Sequence, residues 1–133
     1  MLTGCHLRIA RPTDQLHKVV DFYQNILGFS RLGEFKNHDG FDGIMMGHSD
    51  APYHLEFTSQ SNHSVGLAPS QDHLLVFYQP SFESWQSTIK KIEESGAAPV
   101  QSYNPYWDTN GRTYEDPDGY RIVIYNGTWM PSP

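Results

Sequence analysis

The stretch Phe22-Tyr23-Gln24-Asn25-Ile26-Leu27-Gly28-Phe29 decides the fold, because it closes a helix that belongs to the first of two similar halves. The amphipathic segment that it ends follows a strand-like run, His6-Leu7-Arg8-Ile9. The same order returns in the second half, where residues 73–78 lead into an amphipathic segment that ends at Gly96. Each half then continues into further strand-like runs. A chain of two similar halves has a seam between them, and concave ligand sites favour such seams.

The composition is typical of a compact globular protein. Its 133 residues suit one domain, and 38% hydrophobic with 14% aromatic residues is too much for a disordered chain. A net charge of −6 argues against a broad nucleic-acid surface. The chain has no apolar run of the roughly 18 residues that a membrane span needs, and its N-terminus lacks the pattern of a signal peptide. The lone Cys5 cannot form an internal disulfide, and strand alternation predicts that it is buried. We therefore expect a cytoplasmic protein with no nucleic-acid or membrane partner.

The spacing of apolar residues predicts the element order βαβββ, linker, βαβββ. In the first half, Thr13 or Asp14 is the expected N-cap of the helix, and Gly28 is its C-terminal glycine. In the second half, Ser81 is the expected cap of the helix that follows it. The predicted strands cover residues 5–10, 29–35, 42–46, 53–58, 73–78, 100–103, 111–115 and 120–125, with a tight turn at residues 116–119.

These elements predict one α+β domain over residues 1–133. Module 1 covers about residues 4–58, the linker covers residues 59–71, and module 2 covers about residues 72–126. Each predicted sheet has one face covered by a helix and one open face. We therefore expect the two sheets to lie side by side as a curved, cup-shaped, eight-stranded mixed sheet with the helices outside. Residues along each strand then alternate between the helix side and the cup.

This pattern resembles the vicinal oxygen chelate superfamily, which includes glyoxalase I, bleomycin- and fosfomycin-resistance proteins and ring-cleaving dioxygenases. Residues 22–29 are similar to the FYxxxLGF helix end of that family, and residues 116–123 to its DPDGNxIE turn and last strand. The runs that begin at His6, His54 and His73 resemble the family's metal-binding strands. The resemblance covers about residues 4–126 and implies the cup-shaped fold.

The resemblance also implies a divalent metal, held by one side chain from the first and fourth strands of each module. His6, Glu56 and His73 match three of these positions, whereas Val123, which cannot bind a metal, stands at the fourth. Such a donor set suits Zn²⁺, Ni²⁺, Mn²⁺ or Fe²⁺, and His54 could supply a further ligand. The alternative is a metal-free pocket in which Glu56 hydrogen bonds to the histidines. The sequence has no Gly-rich phosphate loop, so we expect no nucleotide cofactor.

Glu56 is the candidate catalytic residue, because alternation along its strand predicts that it faces the cup. There it could act as a general base next to a substrate carbonyl, or it could form a salt bridge to Arg8 or Arg121. Arg8 and Arg121 could instead bind an anionic substrate, since a guanidinium group matches a carboxylate or phosphate. Arg121 could equally lie at the rim of the cup in solvent.

Residues 103–107 form a predicted aromatic loop that could be a lid or a pocket wall. The resemblance implies that this segment borders the substrate, so Tyr106, Trp107 and Asp108 are further candidate substrate-binding residues. The alternative is that the loop covers the hydrophobic core.

Two functions are consistent with these features. The first is a metal-dependent lyase, isomerase, transferase or dioxygenase that acts on an oxygen-bearing metabolite or antibiotic. The second is metal-free binding of a small molecule, as in sequestration by bleomycin-resistance proteins, with Glu56 or Asp108 complementing a cationic ligand. A pure interaction module is a third alternative. Exposed strand edges also predict a homodimer.

Overall fold

The structure is a computed structural model that describes residues 1–132. It confirms the α+β class, with two mixed sheets and a few helices. The chain forms two compact units, Met1–Leu67 and Ala68–Pro133. The predicted C-terminal end of the domain, at residue 133, lies outside the described residues. Within residues 1–132, no helix is long and apolar enough to cross a membrane.

The first unit contains a four-stranded sheet with one helix. The strands follow the order β1-β4-β3-β2, in which β1 is parallel to β4 and the other neighbours are antiparallel. A helix, α1, leads directly into a π-helical segment, Phe22–Ile26, before β2 begins. The bounds are β1 Leu7–Pro12, α1 Leu16–Asp21, β2 Ser30–His38, β3 Phe41–Gly47 and β4 Tyr53–Gln60.

The apolar stripe of α1 and the π-helical segment packs against the sheet. Val19, Val20 and Tyr23 are fully buried, and Phe57 of β4 lies beneath them with its ring 4.8 Å from that of Tyr23. The chain leaves the helical segment at Gly28, whose φ of +76° is a conformation that glycine adopts without strain. The helix and its terminal glycine are therefore as the sequence predicts, apart from the wider π-helical hydrogen bonding at the end.

The predicted N-caps of α1 have other roles. Gln15 occupies the N-cap position and makes no capping bond, whereas the Thr13 hydroxyl accepts a hydrogen bond from the Gln15 amide at 3.1 Å. The Asp14 carboxylate instead accepts hydrogen bonds from the linker, namely from the Ser64 hydroxyl and from the amides of residues 65 and 66, at 2.8–2.9 Å. Asp14 thus ties the linker to the start of α1.

The second unit contains a three-stranded sheet in the order β5-β7-β6. Its helix α2 is capped by the Ser81 hydroxyl, which accepts a hydrogen bond from the Ser84 amide at 3.2 Å, as predicted. Trp85 and Ile92 form the buried face of α2, and the Trp85 indole donates to the carbonyl of Ile124 at 3.0 Å. The bounds are β5 Leu74–Gln79, α2 Phe82–Glu94, α3 Tyr106–Thr109, β6 Gly111–Glu115 and β7 Arg121–Asn126.

The predicted tight turn at residues 116–119 is confirmed. The Asp116 carboxylate accepts hydrogen bonds from the amides of Asp118 and Tyr120, and Gly119 has a φ of +88°. The strand that follows this turn, β7, lies in the middle of the sheet, between β5 and β6.

Three local predictions are wrong. Residues 100–103 do not form a strand, since Val100 makes only an isolated bridge to Thr113, so the described residues contain sheets of four and three strands. The physical reason is that the Ser102 amide is bound by the Asp108 carboxylate and cannot join a ladder. The predicted aromatic loop contains the short helix α3. Cys5 is exposed, because the chain before β1 forms a turn in which its amide donates to the Leu2 carbonyl.

Candidate functional site

Four polar side chains of the first unit form a hydrogen-bonded chain, here called the polar strip: His6, Arg8, His54 and Glu56. Parallel pairing places Arg8 beside His54 and Ala10 beside Glu56, so alternate residues of β1 and β4 share one face. The His6 Nε2 atom lies 2.6 Å from His54 Nδ1, and Arg8 Nε donates to His54 Nε2 at 2.8 Å. Arg8 also forms an ion pair with the Glu56 carboxylate at 3.1 Å.

The hydrogen-bond directions along the polar strip follow from Arg8. A guanidinium group only donates, so His54 Nε2 must accept, and the His54 proton therefore lies on Nδ1. That proton points at His6 Nε2, which accepts it. Partial burial lowers the pKa of His54, and the charges of Arg8 and His6 lower it further, although Glu56 opposes them. His54 is thus neutral in this arrangement, and the nitrogens of His6 and His54 that face each other are already bonded.

The polar strip does not fit a divalent metal as it is arranged. Two nitrogens bound to one tetrahedral zinc lie about 3.3 Å apart, which follows from Zn–N bonds of about 2.05 Å. The facing nitrogens of His6 and His54 are 2.6 Å apart and bond directly to each other. Arg8 brings a positive charge to His54 and Glu56, the atoms that a cation would need. Among residues 1–132, no group of three His, Cys, Asp or Glu side chains is placed to hold a metal ion.

Glu56 has two possible salt-bridge partners by sequence, Arg8 and Arg121, and in the structure it pairs with Arg8. The Glu56 side chain is 12% exposed and that of Arg8 is 48% exposed, so the guanidinium keeps one side open to solvent. Glu56 therefore lies beneath Arg8 and orients it.

His73, the predicted ligand in the second unit, lies just before β5. The register pairs Leu74 with Arg121 and residue 76 with Val123, so Leu74 rather than His73 shares a face with Val123. The His73 Nδ1 atom lies 2.9 Å from the Ser70 hydroxyl. The register therefore offers no support for the alignment of His73 with a metal position, and its ligand role stays a prediction.

Arg121 has partners inside its own unit. Its Nε and Nη2 atoms donate to the Glu115 carboxylate at 3.0 and 2.9 Å, and Nη1 donates to the Gln101 carbonyl at 2.9 Å. The side chain is only 6% exposed, so the expectation of an arginine at a solvent rim is wrong. All three nitrogens of the guanidinium group are engaged, which makes Arg121 a brace between β7, β6 and residue 101.

Four rings of the second unit form a cluster, here called the aromatic group: Tyr78, Tyr106, Trp107 and Tyr125. Tyr106 stacks on Tyr125 with centroids 5.9 Å apart and planes at 10°, and Trp107 lies edge-on to both rings. Tyr78 lies edge-on to Tyr125 at 5.7 Å. Tyr106 is 58% exposed and Tyr78 40%, so the group presents ring surface to solvent.

Hydrogen bonds and glycines fix the aromatic group. The bond between the Tyr106 and Tyr125 side chains raises the pKa of Tyr106 and lowers the pKa of Tyr125, which Asn110 also hydrogen bonds. A Cβ atom at Gly111 would lie 2.5 Å from the Trp107 carbonyl oxygen, and one at Gly127 would lie 2.8 Å from the Tyr125 ring. The rings are therefore held in place before any ligand arrives.

Sequence reasoning proposed Tyr106 and Trp107 but missed Tyr78 and Tyr125. The signal was available, because β5 and β7 are neighbours in the predicted fold, and the observed register places Tyr78 opposite Tyr125. Asp108, also proposed as a ligand contact, accepts a bifurcated hydrogen bond from the Ser102 amide, with both carboxylate oxygens 3.2 Å from the nitrogen. Asp108 therefore positions the segment that carries α3.

Comparison with known sequences identifies the family. The model of the YycE-like N-terminal domain matches residues 7–58, and that of the YycE-like C-terminal domain matches residues 72–126. The chain belongs to the YycE-like family. It is 47% identical over 123 residues to the uncharacterised protein YycE of Bacillus subtilis, which covers 92% of this chain and 88% of that protein.

Solved structures confirm the vicinal oxygen chelate fold. The crystal structure of YycE from Bacillus subtilis, a protein of unknown function, matches with a TM-score of 0.87 at 43% identity over 98% of this chain and 95% of YycE. Glyoxalase I from Leishmania major matches with a TM-score of 0.70 at 14% identity over 94% and 88%. The fosfomycin resistance protein FosX from Mesorhizobium loti matches with a TM-score of 0.67 at 9% identity over 96% and 94%. The last two likenesses concern the fold alone.

Proposed function

We propose that this YycE-like protein binds a small organic molecule without a metal ion. The observation that carries the proposal is that the side chains of the polar strip are hydrogen bonded to Arg8 or to each other. His54 and Glu56, two of the predicted metal ligands, are hydrogen bonded to a guanidinium group, and the facing nitrogen of His6 is bonded to His54. This supports the metal-free function that the sequence allowed as an alternative.

In this proposal the polar strip of the first unit binds a polar group of a small molecule. The open side of the Arg8 guanidinium matches an oxygen of a carboxylate, phosphate or carbonyl group, and Glu56 holds Arg8 in a fixed orientation. The aromatic group of the second unit, taken by itself, is suited to bind a planar ring, because Tyr and Trp rings supply contact area that loses little side-chain entropy. Arg121 and Asp108 act by position, since their donor and acceptor atoms already have partners in the fold.

A metal-dependent enzyme is the second candidate, and one observation favours it. The structure brings two histidines and one carboxylate, His6, His54 and Glu56, onto one sheet face, which is a donor set that Fe²⁺ and Zn²⁺ use. Bacillus YycE is itself named as a candidate glyoxalase/fosfomycin resistance protein. Glu56 is then the general base, and Arg8 would have to release it. A homodimer and a cytoplasmic location stay predictions.

Metal analysis separates the two candidates. We expect tag-free protein, purified without chelator, to carry far less than one equivalent of Zn, Ni, Mn or Fe. We also expect its melting temperature to stay unchanged in chelator, because no folding free energy comes from a metal. One equivalent of metal, together with destabilisation by chelator, would contradict the proposal and favour the metalloenzyme.

A ligand screen then tests small-molecule binding directly. Compounds that carry an anionic or carbonyl oxygen, and compounds that carry a planar ring, should raise the melting temperature where they bind, because a ligand stabilises the state that it binds. Arg8→Gln should weaken binding of the former and Trp107→Leu binding of the latter. Phe82→Leu is the matched control, since Phe82 is also an exposed aromatic residue of the second unit, at 55% exposure, but belongs to α2. Equal losses in all three variants would contradict the assignment.

A further inference from the structure

We propose that Asn110 is a modification site, at which spontaneous deamidation places a negative charge beside the aromatic group of the second unit. The chain has two Asn-Gly pairs, Asn110-Gly111 and Asn126-Gly127. The side chain of an asparagine before a glycine closes readily onto the next backbone nitrogen, because glycine has no side chain to hinder the ring closure. The reactivity of each pair in the folded protein then depends on which of its groups are hydrogen bonded.

The pair Asn126-Gly127 is protected. The Asn126 Nδ2 atom donates to the carbonyl oxygens of Gln79 and Pro80 at 3.1 and 3.2 Å. The Gly127 amide, which would be the nucleophile, donates to the Gln79 carbonyl at 3.2 Å. Three hydrogen bonds therefore occupy both reacting groups, and all three must break before the ring can close.

The pair Asn110-Gly111 is less protected. Asn110 is exposed and joins α3 to β6, and its carbonyl accepts a ladder bond from the Asn126 amide at 2.7 Å. The bonds of an antiparallel ladder come from alternate residues, so the Gly111 amide points away from β7. Ring closure must turn ψ of Asn110 away from 20°, which breaks this ladder bond, and must release the Asn110 side chain from Tyr125. Two hydrogen bonds oppose the reaction, and neither occupies the nucleophile.

The fold also keeps the glycine of this pair. A Cβ atom at Gly111 would lie 2.5 Å from the Trp107 carbonyl oxygen, so a larger residue would displace α3. The reactive pair and the aromatic group are therefore built from the same close approach.

The reaction needs only water. The Gly111 amide nitrogen loses its proton to solvent and attacks Cγ of Asn110, and the side-chain nitrogen leaves as ammonia. Water then opens the cyclic imide to give aspartate or isoaspartate at this position. The net change consumes one water molecule, releases one ammonia molecule and involves no oxidant or reductant.

Deamidation changes the hydrogen bond to Tyr125. The Asn110 side chain lowers the pKa of the Tyr125 hydroxyl through this bond, so the amide is the donor. A carboxylate only accepts hydrogen bonds, and the Tyr125 hydroxyl must then donate to it. The aromatic group gains one negative charge, which favours a cationic ring over an anionic one. This preference rests on the proposed function, whereas the modification itself does not.

The first test compares the two pairs by peptide mapping. Tag-free protein is aged in mildly alkaline buffer, native or in urea, and deamidation at each pair is followed by mass spectrometry. In the native protein, the Asn110 amide should be lost at least about fivefold faster than the Asn126 amide, which is the ratio that one net hydrogen bond is worth. In urea the two rates should become similar, because both pairs are then free of the fold. Asn110→Gln is the control that keeps an amide but closes the ring far more slowly.

The second test concerns the consequence for Tyr125. Asn110→Asp should raise the pKa of one tyrosine, followed as tyrosinate absorbance against pH, because a donor to the Tyr125 hydroxyl becomes an acceptor. Tyr78 and Tyr106 are the other titratable groups around this hydroxyl, and they are unchanged in the variant. Asn104→Asp is the matched control, since Asn104 is exposed and its side-chain oxygen binds the Tyr106 amide rather than a phenol.

Either measurement can overturn the inference. It fails if the native protein loses the Asn110 amide no faster than the Asn126 amide, or if the tyrosine titration of Asn110→Asp matches that of Asn104→Asp. Neither test uses a ligand or a metal, so these failures leave the proposed function standing. The proposed function fails instead if the wild type carries one equivalent of metal.

Discussion

Arg121 offers the sharpest test of the distinction between ligand binding and structural support. The sequence left an anionic substrate, a salt bridge to Glu56 or a solvent-exposed rim as alternatives for Arg121, whereas in the structure its guanidinium group binds Glu115 and the Gln101 carbonyl. The perturbation is Arg121→Met, which keeps the apolar stem and removes the guanidinium group. If Arg121 is a brace, this change should lower stability and leave ligand affinity close to that of the wild type.

The magnitude follows from the contacts and their exposure. Removing one partner of a buried ion pair costs about 3–5 kcal/mol, because the other charge loses its compensation. Glu115 is 38% exposed and can be rehydrated, so we expect about 2–3 kcal/mol, which includes the unpaired Gln101 carbonyl. An unfolding entropy of about 2.1 cal/mol/K per residue gives about 0.28 kcal/mol/K for 133 residues. The melting temperature should therefore fall by roughly 7–11 °C.

The assay is thermal and urea unfolding of Arg121→Met, Arg121→Lys and a matched control, Arg31→Met. Arg31 is exposed and donates to the Gln24 amide oxygen at 3.1 Å, so its loss should cost less than about 0.5 kcal/mol. Arg121→Lys should fall between the two, since it keeps the charge and loses the planar fork. The reasoning is refuted if the melting temperature of Arg121→Met stays within about 2 °C of the wild type while ligand binding is lost. That result would indicate that Arg121 contacts the ligand.

Three further predictions concern the linker, the polar strip and the hydrophobic core of the second unit. Hydrogen bonds from the amides of residues 65 and 66 and from the Ser64 hydroxyl lower the pKa of Asp14 in the folded protein. The stabilisation of the linker by Asp14 is therefore complete above the pKa that this carboxyl has in the unfolded chain, and it is lost as the pH falls through the pKa in the folded protein. Asp14→Asn should speed proteolysis within residues 59–71 at neutral pH, and cleavage no faster than in the control Asp50→Asn would contradict this. Because burial and Arg8 lower the pKa of His54, its contribution to stability is present above about pH 6.5 and declines on acidification. Between pH 5 and 8, the urea midpoint of His54→Gln should therefore depend less on pH than that of the wild type. Parallel plots of the two midpoints against pH would exclude His54 as the source of the pH dependence. The buried Tyr114 hydroxyl donates to Glu93 at 3.0 Å, so Tyr114→Phe should cost about 1 kcal/mol by urea unfolding, with Glu93→Gln milder because its amide oxygen still accepts. An unchanged urea midpoint in Tyr114→Phe would mean that this bond adds nothing.

Local patterns in the sequence predicted most of the elements. The serine at 81 and the apolar spacing behind it predicted α2, and alternation along β1 and β4 predicted that Arg8 and Glu56 share a face; the structure confirms both. Prediction failed where a side chain outside the predicted strand binds a backbone amide of that strand. The Asp108 carboxylate removes the Ser102 amide from a strand, and no short-range pattern reports that contact.

The sequence by itself determined the two βα repeats and the face on which each strand residue lies, because those depend on periods of 3.6 and 2 within one segment. Only the tertiary structure decided which groups meet. Arg8 and Arg121 were both possible salt-bridge partners of Glu56, and the parallel pairing of β1 with β4 places Arg8 and Glu56, 48 residues apart in the chain, within 3.1 Å of each other. Arg121 met Glu115 because β6 is the antiparallel neighbour of β7. Strand adjacency is a property of the folded chain, so periodicity within one segment could not choose between the two arginines as the partner of Glu56.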